Sequence, residues 1–360
     1  MQTDWYIDQL KRPAYEAPAA PITWERSEYM SGTNDYIQVQ PEMKSQIDAL
    51  YRENPEEAKR MLGDNPYELK NILKYWVRSK DPQMHVIPTD SIIITVNKEN
   101  VRNSGIRMIS DSIPDYVCMK IDKSALHKNH LMMLEMLAQS DWKRPIYYAA
   151  TVGKDLYLNL SDNFIQEGLA YRVSPFNTNG QFVDADKMYD NIMNKFRYGN
   201  ISDPSLYLDQ TVRGMCLTHR RMFSVLADEL IRRGDKERAL KVLEKGEKEI
   251  PDYAVSYTQN IGGTTEIARA WSQLGKKDKA VKLLTKVVES SKQYLDWYML
   301  YSSNSLSSNA YECSVRLTEM LTAINIMRKE GLPNAEKYMA EAEQYYAALN
   351  AKGVNINLGN

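Results

Sequence analysis

Apolar positions change their spacing along the chain, and each change predicts a different kind of structure. Residues 1–41 hold Pro13, Pro18, Pro21 and Pro41, which interrupt helix and remove ladder donors, so after a short first segment this stretch reads as a mostly extended strap. Asn54-Pro55 and Asn65-Pro66 then pair a capping side chain with proline at a first helical position. After the second, Leu69, Ile72, Leu73 and Trp76 recur at helical spacing and predict one buried stripe. Near residue 84 the period shortens. His85-Val86-Ile87-Pro88 and Ser91-Ile92-Ile93-Ile94-Thr95-Val96 are β-branched runs between turn formers, which favours strands. A strand at 116–121, a helix at 124–139 and a strand at 145–152 follow. The last is apolar on both faces and is expected to be central. A further strand is expected at 169–174. Residues 1–202 thus read as an α+β domain with a small mixed sheet, α/β being the alternative.

Strand signals disappear after Asp203-Pro204, a third pairing of cap and proline taken to open the second domain, 203–360. Leu226, Ala227, Leu230, Gly234, Ala239, Leu243, Gly246 and Pro251 fit two antiparallel helices with small residues at their contact and glycine at the turn. Ile267, Ala268, Trp271, Gly275, Ala280, Leu284 and Val287 repeat the pattern. Ala323, Ile326, Ala335, Met339 and Ala342 form a degenerate third copy, with Gly331 one place off. The spacing resembles that of the roughly 34-residue tetratricopeptide (TPR) unit. A generic helical bundle is the plainer alternative. One hairpin cannot bury its apolar face alone, so neighbours must stack. Residues 290–309, rich in Ser and Tyr, interrupt the second and third copies as an expected helix extension or loop.

Composition narrows the function. The 46 basic and 47 acidic side chains nearly cancel and show no basic stripe, so no nucleic-acid partner is expected. The 24 Tyr and 6 Trp outnumber 5 Phe, a balance suited to half-wet contact faces. Cys118, Cys216 and Cys313 form no CxxC pair, which argues against structural zinc; they read as small buried hydrophobes, and a single disulfide is allowed. No window has the run of about 18 apolar residues that a membrane span requires. Met1-Gln2-Thr3-Asp4-Trp5 lacks the basic and apolar regions of a signal peptide, so the chain reads as a soluble polypeptide.

Candidate chemistry is sparse. His127 and His130 share a helix face with Glu135 beyond, but no His-Glu-x-x-His occurs, and Leu126, Leu131, Leu134 and Leu137 explain a core helix. Ile261-Gly262-Gly263-Thr264-Thr265 has no lysine for a phosphate loop and reads as glycines before a threonine cap. Cys118 sits mid-strand between Val117 and Met119 with nothing to activate it. No Gly-x-Ser-x-Gly elbow is present. No catalytic residue, metal or cofactor is therefore assigned. Tyr294, Trp297, Tyr298 and Tyr301 form a stripe that could line a groove for a peptide or glycan; packing on the preceding hairpin is the favoured alternative.

Two segments resemble a known family. Thr3-Asp4-Trp5-Tyr6-Ile7-Asp8-Gln9-Leu10-Lys11-Arg12 resembles the stretch after the last membrane helix of the DUF2723 proteins of Bacteroidota. Trp142-Lys143-Arg144-Pro145-Ile146-Tyr147-Tyr148-Ala149, then Gly153-Lys154-Asp155 and Glu167-Gly168-Leu169-Ala170-Tyr171-Arg172, resemble their soluble C-terminal region. That family is similar to protein O-mannosyltransferases, membrane proteins that take sugar from a lipid carrier. The resemblance implies that this chain is the excised soluble portion, on the periplasmic side of the cytoplasmic membrane, joined to the membrane only through a missing transmembrane domain. The membrane helices and the acidic catalytic loop among them are absent from it, so no catalytic residue carries over. Asp90-Ser91-Ile92 and Asp111-Ser112-Ile113 also resemble the Asp-Ser/Thr-aliphatic sites O-glycosylated in exported proteins of that phylum, though turn polarity explains both equally well. The expected function is a protein-interaction module recognising or scaffolding a protein or peptide acceptor. Its rivals are a hydrolase or transferase site around His127, His130 or Cys118, and a carbohydrate-binding module using the Tyr and Trp surface.

Overall fold

The computed structural model describes residues 1–354 apart from Glu16, Gln181 and Gln259; 355–360, the tail of the expected repeat domain, lie outside it. Two compact units emerge: Met1–Gln166 with Ala170–Phe182, and Glu167–Leu169 with Val183 onward. The first is α+β and the second is all-α.

In the first unit, α1 (Asp4–Leu10) and α2 (Arg26–Tyr29) flank residues 18–25, which carry no regular element and bury Ile22 and Trp24. Then come β1 (Tyr36–Gln38), α3 (Lys44–Glu53), α4 (Pro55–Leu62) and α5 (Leu69–Asn71), the last widening into a π-helical turn at Ile72–Val77. Leu69, Ile72, Leu73 and Trp76 are buried along it, the stripe their spacing predicts. The helix starts later than Asn65-Pro66, however. Asn65 closes a turn by accepting from the Tyr67 N–H, and Glu68 is the residue that caps α5. After these follow β2 (Ser91–Thr95), α6 (Lys98–Asn103), β3 (Tyr116–Lys120), β4 (Ala125–His127) and α7 (Lys128–Ser140). Then β5 (Tyr147–Ala149), β6 (Phe164–Gln166), β7 (Ala170–Val173) and β8 (Phe182–Val183) complete the unit's strands.

The single small sheet expected here is three sheets among the described residues: β1 with β4, β2 with β3, and β5-β7-β6-β8 in that order. Antiparallel register sets Ile92 against Met119 and Ile94 against Val117, so one face of the β2–β3 ribbon is wholly apolar and buried. Three expectations need correction. His85 to Pro88 is no strand: Ile87 makes one isolated bridge, with Val39. The helix expected from 124 begins only at Lys128, because Ala125–His127 alternates in burial and pairs with β1. The strand expected to be central, 145–152, is the short edge strand β5 with Tyr147 and Ala149 outward, and β7 takes the centre.

The second unit starts with α8 (Ala185–Asp190), then α9 (Gln210–Arg232), α10 (Lys236–Glu249), α11 (Thr264–Gln273), α12 (Lys277–Met299), α13 (Ser303–Ser308), α14 (Ala310–Lys329) and α15 (Ala335–Ala351). Ala185, Met188 and Ile192, assigned from sequence to the first domain, belong to its core. Asp209, not Asp203, caps α9 by accepting from the Val212 N–H. α9–α10, α11–α12 and α14–α15 are helical hairpins turning at Gly234, Gly275 and Gly331, whose φ values are +81°, +78° and +62°. Each turn closes alike. The residue after glycine donates five positions back, Asp235 to Leu230, Lys276 to Trp271 and Leu332 to Met327. This is the Schellman arrangement, and it makes the degenerate third copy the same turn as the other two. Ala227, Ala239, Ala268, Ala280 and Ala323 are fully buried where helices meet. Of the cysteines, Cys216 and Cys313 are buried and Cys118 is exposed, against the expectation of three buried thiols. No helix among the described residues is long and apolar enough to cross a membrane.

Candidate functional site

α12 outlasts the hairpin it belongs to, and its last turns carry the aromatic stripe. Trp297, Tyr298 and Tyr301 come together, with ring centroids 5.1 Å (Trp297–Tyr298), 5.4 Å (Trp297–Tyr301) and 6.0 Å (Tyr298–Tyr301) apart. Tyr298 turns inward and is buried, which pushes its phenol up. Tyr294 stands apart from the ring cluster. Arg316 of α14 lies 4.3 Å over its face and is itself paired with Glu319 at 2.8 Å. Lys352 closes the ledge by donating to the Met299 and Tyr301 carbonyls at the end of α12. Trp297 remains 49% exposed, next to Leu300, which is 82% exposed. The stripe therefore divides: one edge packs on the unit and the other stays open.

The second site lies in the α+β unit, where α7 begins. His127 and His130 form a reciprocal cap: His130 Nδ1 accepts from the His127 N–H at 3.2 Å, and the His127 side chain accepts from the His130 N–H. An imidazole that accepts at Nδ1 carries its proton at Nε2 when neutral. Burial holds the His130 pKa below its ordinary value, with Lys123 and His127 adding to the effect and Asp155 opposing it. His130 is only 6% exposed, and its Nε2 has no hydrogen-bond partner. Both histidines line an open cleft of about 560 Å³, together with Gln2, Asp122, Lys123 and Asp155. Gln2 reaches Asn129 at 3.3 Å across its rim.

Cys118 and Glu135 do not join this cleft. Cys118 faces outward on β3 opposite Ile93, and Glu135 accepts from both the N–H and hydroxyl of Thr23. Among the described residues no group of His, Cys, Asp and Glu could hold a metal ion. Asp122, Lys123 and Asp155 were not singled out from sequence, because Asp122 and Lys123 belong to the loop before β4 and Asp155 to a separate segment whose approach no periodicity reveals. Asp155 did stand within Gly153-Lys154-Asp155, one of the blocks carrying the family resemblance. Of the two serine motifs, Ser91 opens β2 with its hydroxyl on Asp90, and Ser112 is exposed in the coil before β3.

A family model described as TMEM260-associated domain 2 matches residues 1–192. That span includes every residue of the cleft and none of the aromatic ledge. No curated protein and no solved structure matches the chain.

Proposed function

Because the chain belongs to the TMEM260-associated domain 2 family, we propose that it is an interaction module of a membrane glycosyltransferase-like protein of the DUF2723 kind. In this reading the hairpin unit holds a protein or peptide, either an acceptor or a partner, on the periplasmic side of the cytoplasmic membrane. The segments from Thr3 to Arg12 and from Trp142 to Arg172 support the DUF2723 relationship by their resemblance. The three equivalent glycine turns support a tetratricopeptide-like unit, a fold that works by presenting stacked helices to another chain.

The observation that carries the proposal is the ledge at the end of α12. Trp297 is half exposed yet held by Tyr298 and Tyr301, so its ring is ordered before a partner arrives. A pre-ordered, half-exposed tryptophan set against two tyrosines has the composition of an interface hot spot. The chain, immobilised and exposed to a periplasmic extract under cross-linking, should retain a defined protein whose affinity falls about tenfold or more with Trp297→Ala. Tyr311→Ala, at another exposed tyrosine, serves as a control for surface change alone. Retention of nothing specific by the native chain, or unchanged affinity after Trp297→Ala, overturns the reading.

A further inference from the structure

The first half of α12 carries an open feature that the aromatic ledge at its end does not account for. Lys279, Lys282 and Lys286 stand three and four residues apart, so they share one helix face. All three line an open pocket of about 280 Å³ together with Glu247 of α10 and with Asp252 and Tyr257 of the loop that follows it. Glu247 takes Lys279 at 2.6 Å, and Asp252 takes Lys286. Lys282 is exposed and has no hydrogen bond or ion pair among the described residues. Three ammoniums therefore meet two carboxylates, and the pocket keeps one positive charge in excess. The Tyr257 ring adds to it, because it lies 3.7 Å from the buried Arg220 guanidinium, which donates to carbonyls rather than to a carboxylate among the described residues.

Positive charge beside two resident carboxylates selects its ligand. A phosphate dianion would lie against Glu247 and Asp252, whereas a single carboxylate matches the excess, and each held lysine keeps further N–H donors for it. An apolar group would give Lys282 nothing in exchange for its water. The same face of α12 then runs on to the ledge. Ser290, Gln293 and Trp297 follow Lys286 at steps of four, three and four. Ser290 is half-buried and Gln293 exposed, so the strip between the lysines and the tryptophan is neutral and accessible. Trp297 lies fifteen residues after Lys282. That is about 22 Å along a helix, which an extended chain covers in about seven residues.

We propose that this face of α12 receives an extended peptide with an acidic side chain in the pocket on Lys282 and an apolar side chain about seven residues away against Trp297. The inference rests on the reading of the hairpin unit as a surface that holds a protein or peptide, and adds the chemistry of what it holds.

Titration of the full chain with acetylated, amidated peptides tests it, since blocked ends leave side chains as the only charges. The probe has two glutamates and a leucine separated by six glycine and serine residues; its companions carry glutamine for the glutamates, or glycine for the leucine. The probe should bind, the glutamine peptide about fivefold more weakly, and phosphate at constant ionic strength should not displace it. Lys282→Gln should weaken the probe about threefold and leave the glutamine peptide unaffected, while Lys236→Gln, at an exposed lysine of α10 outside the pocket, should change neither. Trp297→Ala should weaken the probe and not the peptide lacking leucine. No binding, equal affinity for the glutamate and glutamine peptides, displacement by phosphate, equal losses from Lys282→Gln and Lys236→Gln, or a Trp297→Ala loss indifferent to the leucine would overturn the inference. A periplasmic protein whose retention needs Trp297 but not Lys282 would overturn this inference alone and leave the interaction reading standing.

Discussion

In the hairpin unit, polar pairs join one helix to the next. Arg269 of α11 meets Asp228 of α9 at 2.6 Å, Lys279 of α12 meets Glu247 of α10 at 2.6 Å, and Lys292 of α12 meets Glu341 of α15 at 2.8 Å. In the α+β unit, pairs such as Arg26 with Asp8 also join helices, but several others tie helices to coil. Asp141, just past α7, accepts from Lys70, Asn97 and Asn100; Arg78 holds Glu28, and Lys128 holds Asp35. The difference follows from how each unit is specified. A repeat defines its path locally, through a glycine turn and a small-residue contact, so polar pairs need only set the register of neighbours. Short strands from distant segments have no such local rule, and side-chain bonds must hold the crossings. What remains unengaged differs accordingly: an aromatic edge on the hairpins, and polar groups around a cleft in the α+β unit.

The largest expected effect tests whether the hairpin unit also depends on a polar crossing. Arg220 of α9 is 1% exposed and donates to the carbonyls of Ile250, Val255 and Ser256, with the Tyr257 ring 3.7 Å from its guanidinium. No carboxylate among the described residues bonds it, and burial lowers its pKa. Arg220→Leu leaves those carbonyls without their donor and should cost about 3 kcal/mol, measured by chemical denaturation of the full chain. Hydrogen exchange should rise in α9 and in 250–258. A loss below about 1 kcal/mol would mean that helix packing alone shapes the loop between the first two hairpins.

The glycines sharpen the comparison at smaller size. Gly234, Gly275 and Gly331 have positive φ, so alanine at each should destabilise the hairpin unit by about 1 kcal/mol. Gly214 lies within α9, with open space around an added Cβ and no positive φ. Gly214→Ala should therefore stabilise by roughly 0.5–1 kcal/mol. Thermal melts of the four variants read both signs. A silent Gly331→Ala would break the equivalence of the third hairpin with the first two.

How far each region could be read from the sequence follows the same division. The hairpins are visible because alanines, glycines and leucines a few residues apart fix the geometry, and even Gly331 out of step keeps the turn. In the first unit, the stripe Leu69–Ile72–Leu73–Trp76 and the individual strands β2 and β3 are legible from local pattern as well. Neighbour relations are not. The apolar run at 145–152 gives no hint that β7 would displace it from the centre, and nothing local shows that Ala125–His127 would leave a helix to pair with Tyr36–Gln38. At the sites, the aromatic stripe was visible as a period, but which ring turns inward was decided by α14. His127 and His130 were visible as a pair. Their cleft depends on Gln2 and Asp155 arriving from distant segments, and that is tertiary information.

Acid compares the two units at the smallest scale, because each holds an imidazole whose pKa burial keeps below the ordinary 6.5. In the α+β unit this is His130. In the hairpin unit it is His219 of α9, whose Nδ1 has no partner and whose ring meets Phe196 at 5.9 Å and Tyr198 at 5.7 Å. The sign follows from proton counts. Just below pH 6.5 the unfolded chain binds more protons at these positions than the folded chain does. Stability is therefore complete above 6.5, falls as the pH drops through it, and levels off once the pH passes the lowered folded value. Asp228 and Glu68, whose carboxyls burial raises, titrate in the opposite sense further down, so the comparison belongs between about pH 7.5 and about pH 5.5. Peptide-resolved hydrogen exchange at both ends should show each unit losing protection on acidification. His219→Gln should flatten the change in α9 and α10 and leave α7 as sensitive as before, and His130→Gln should do the reverse. If either variant flattened both units together, or neither, the two imidazoles would not be independent local sensors of folding.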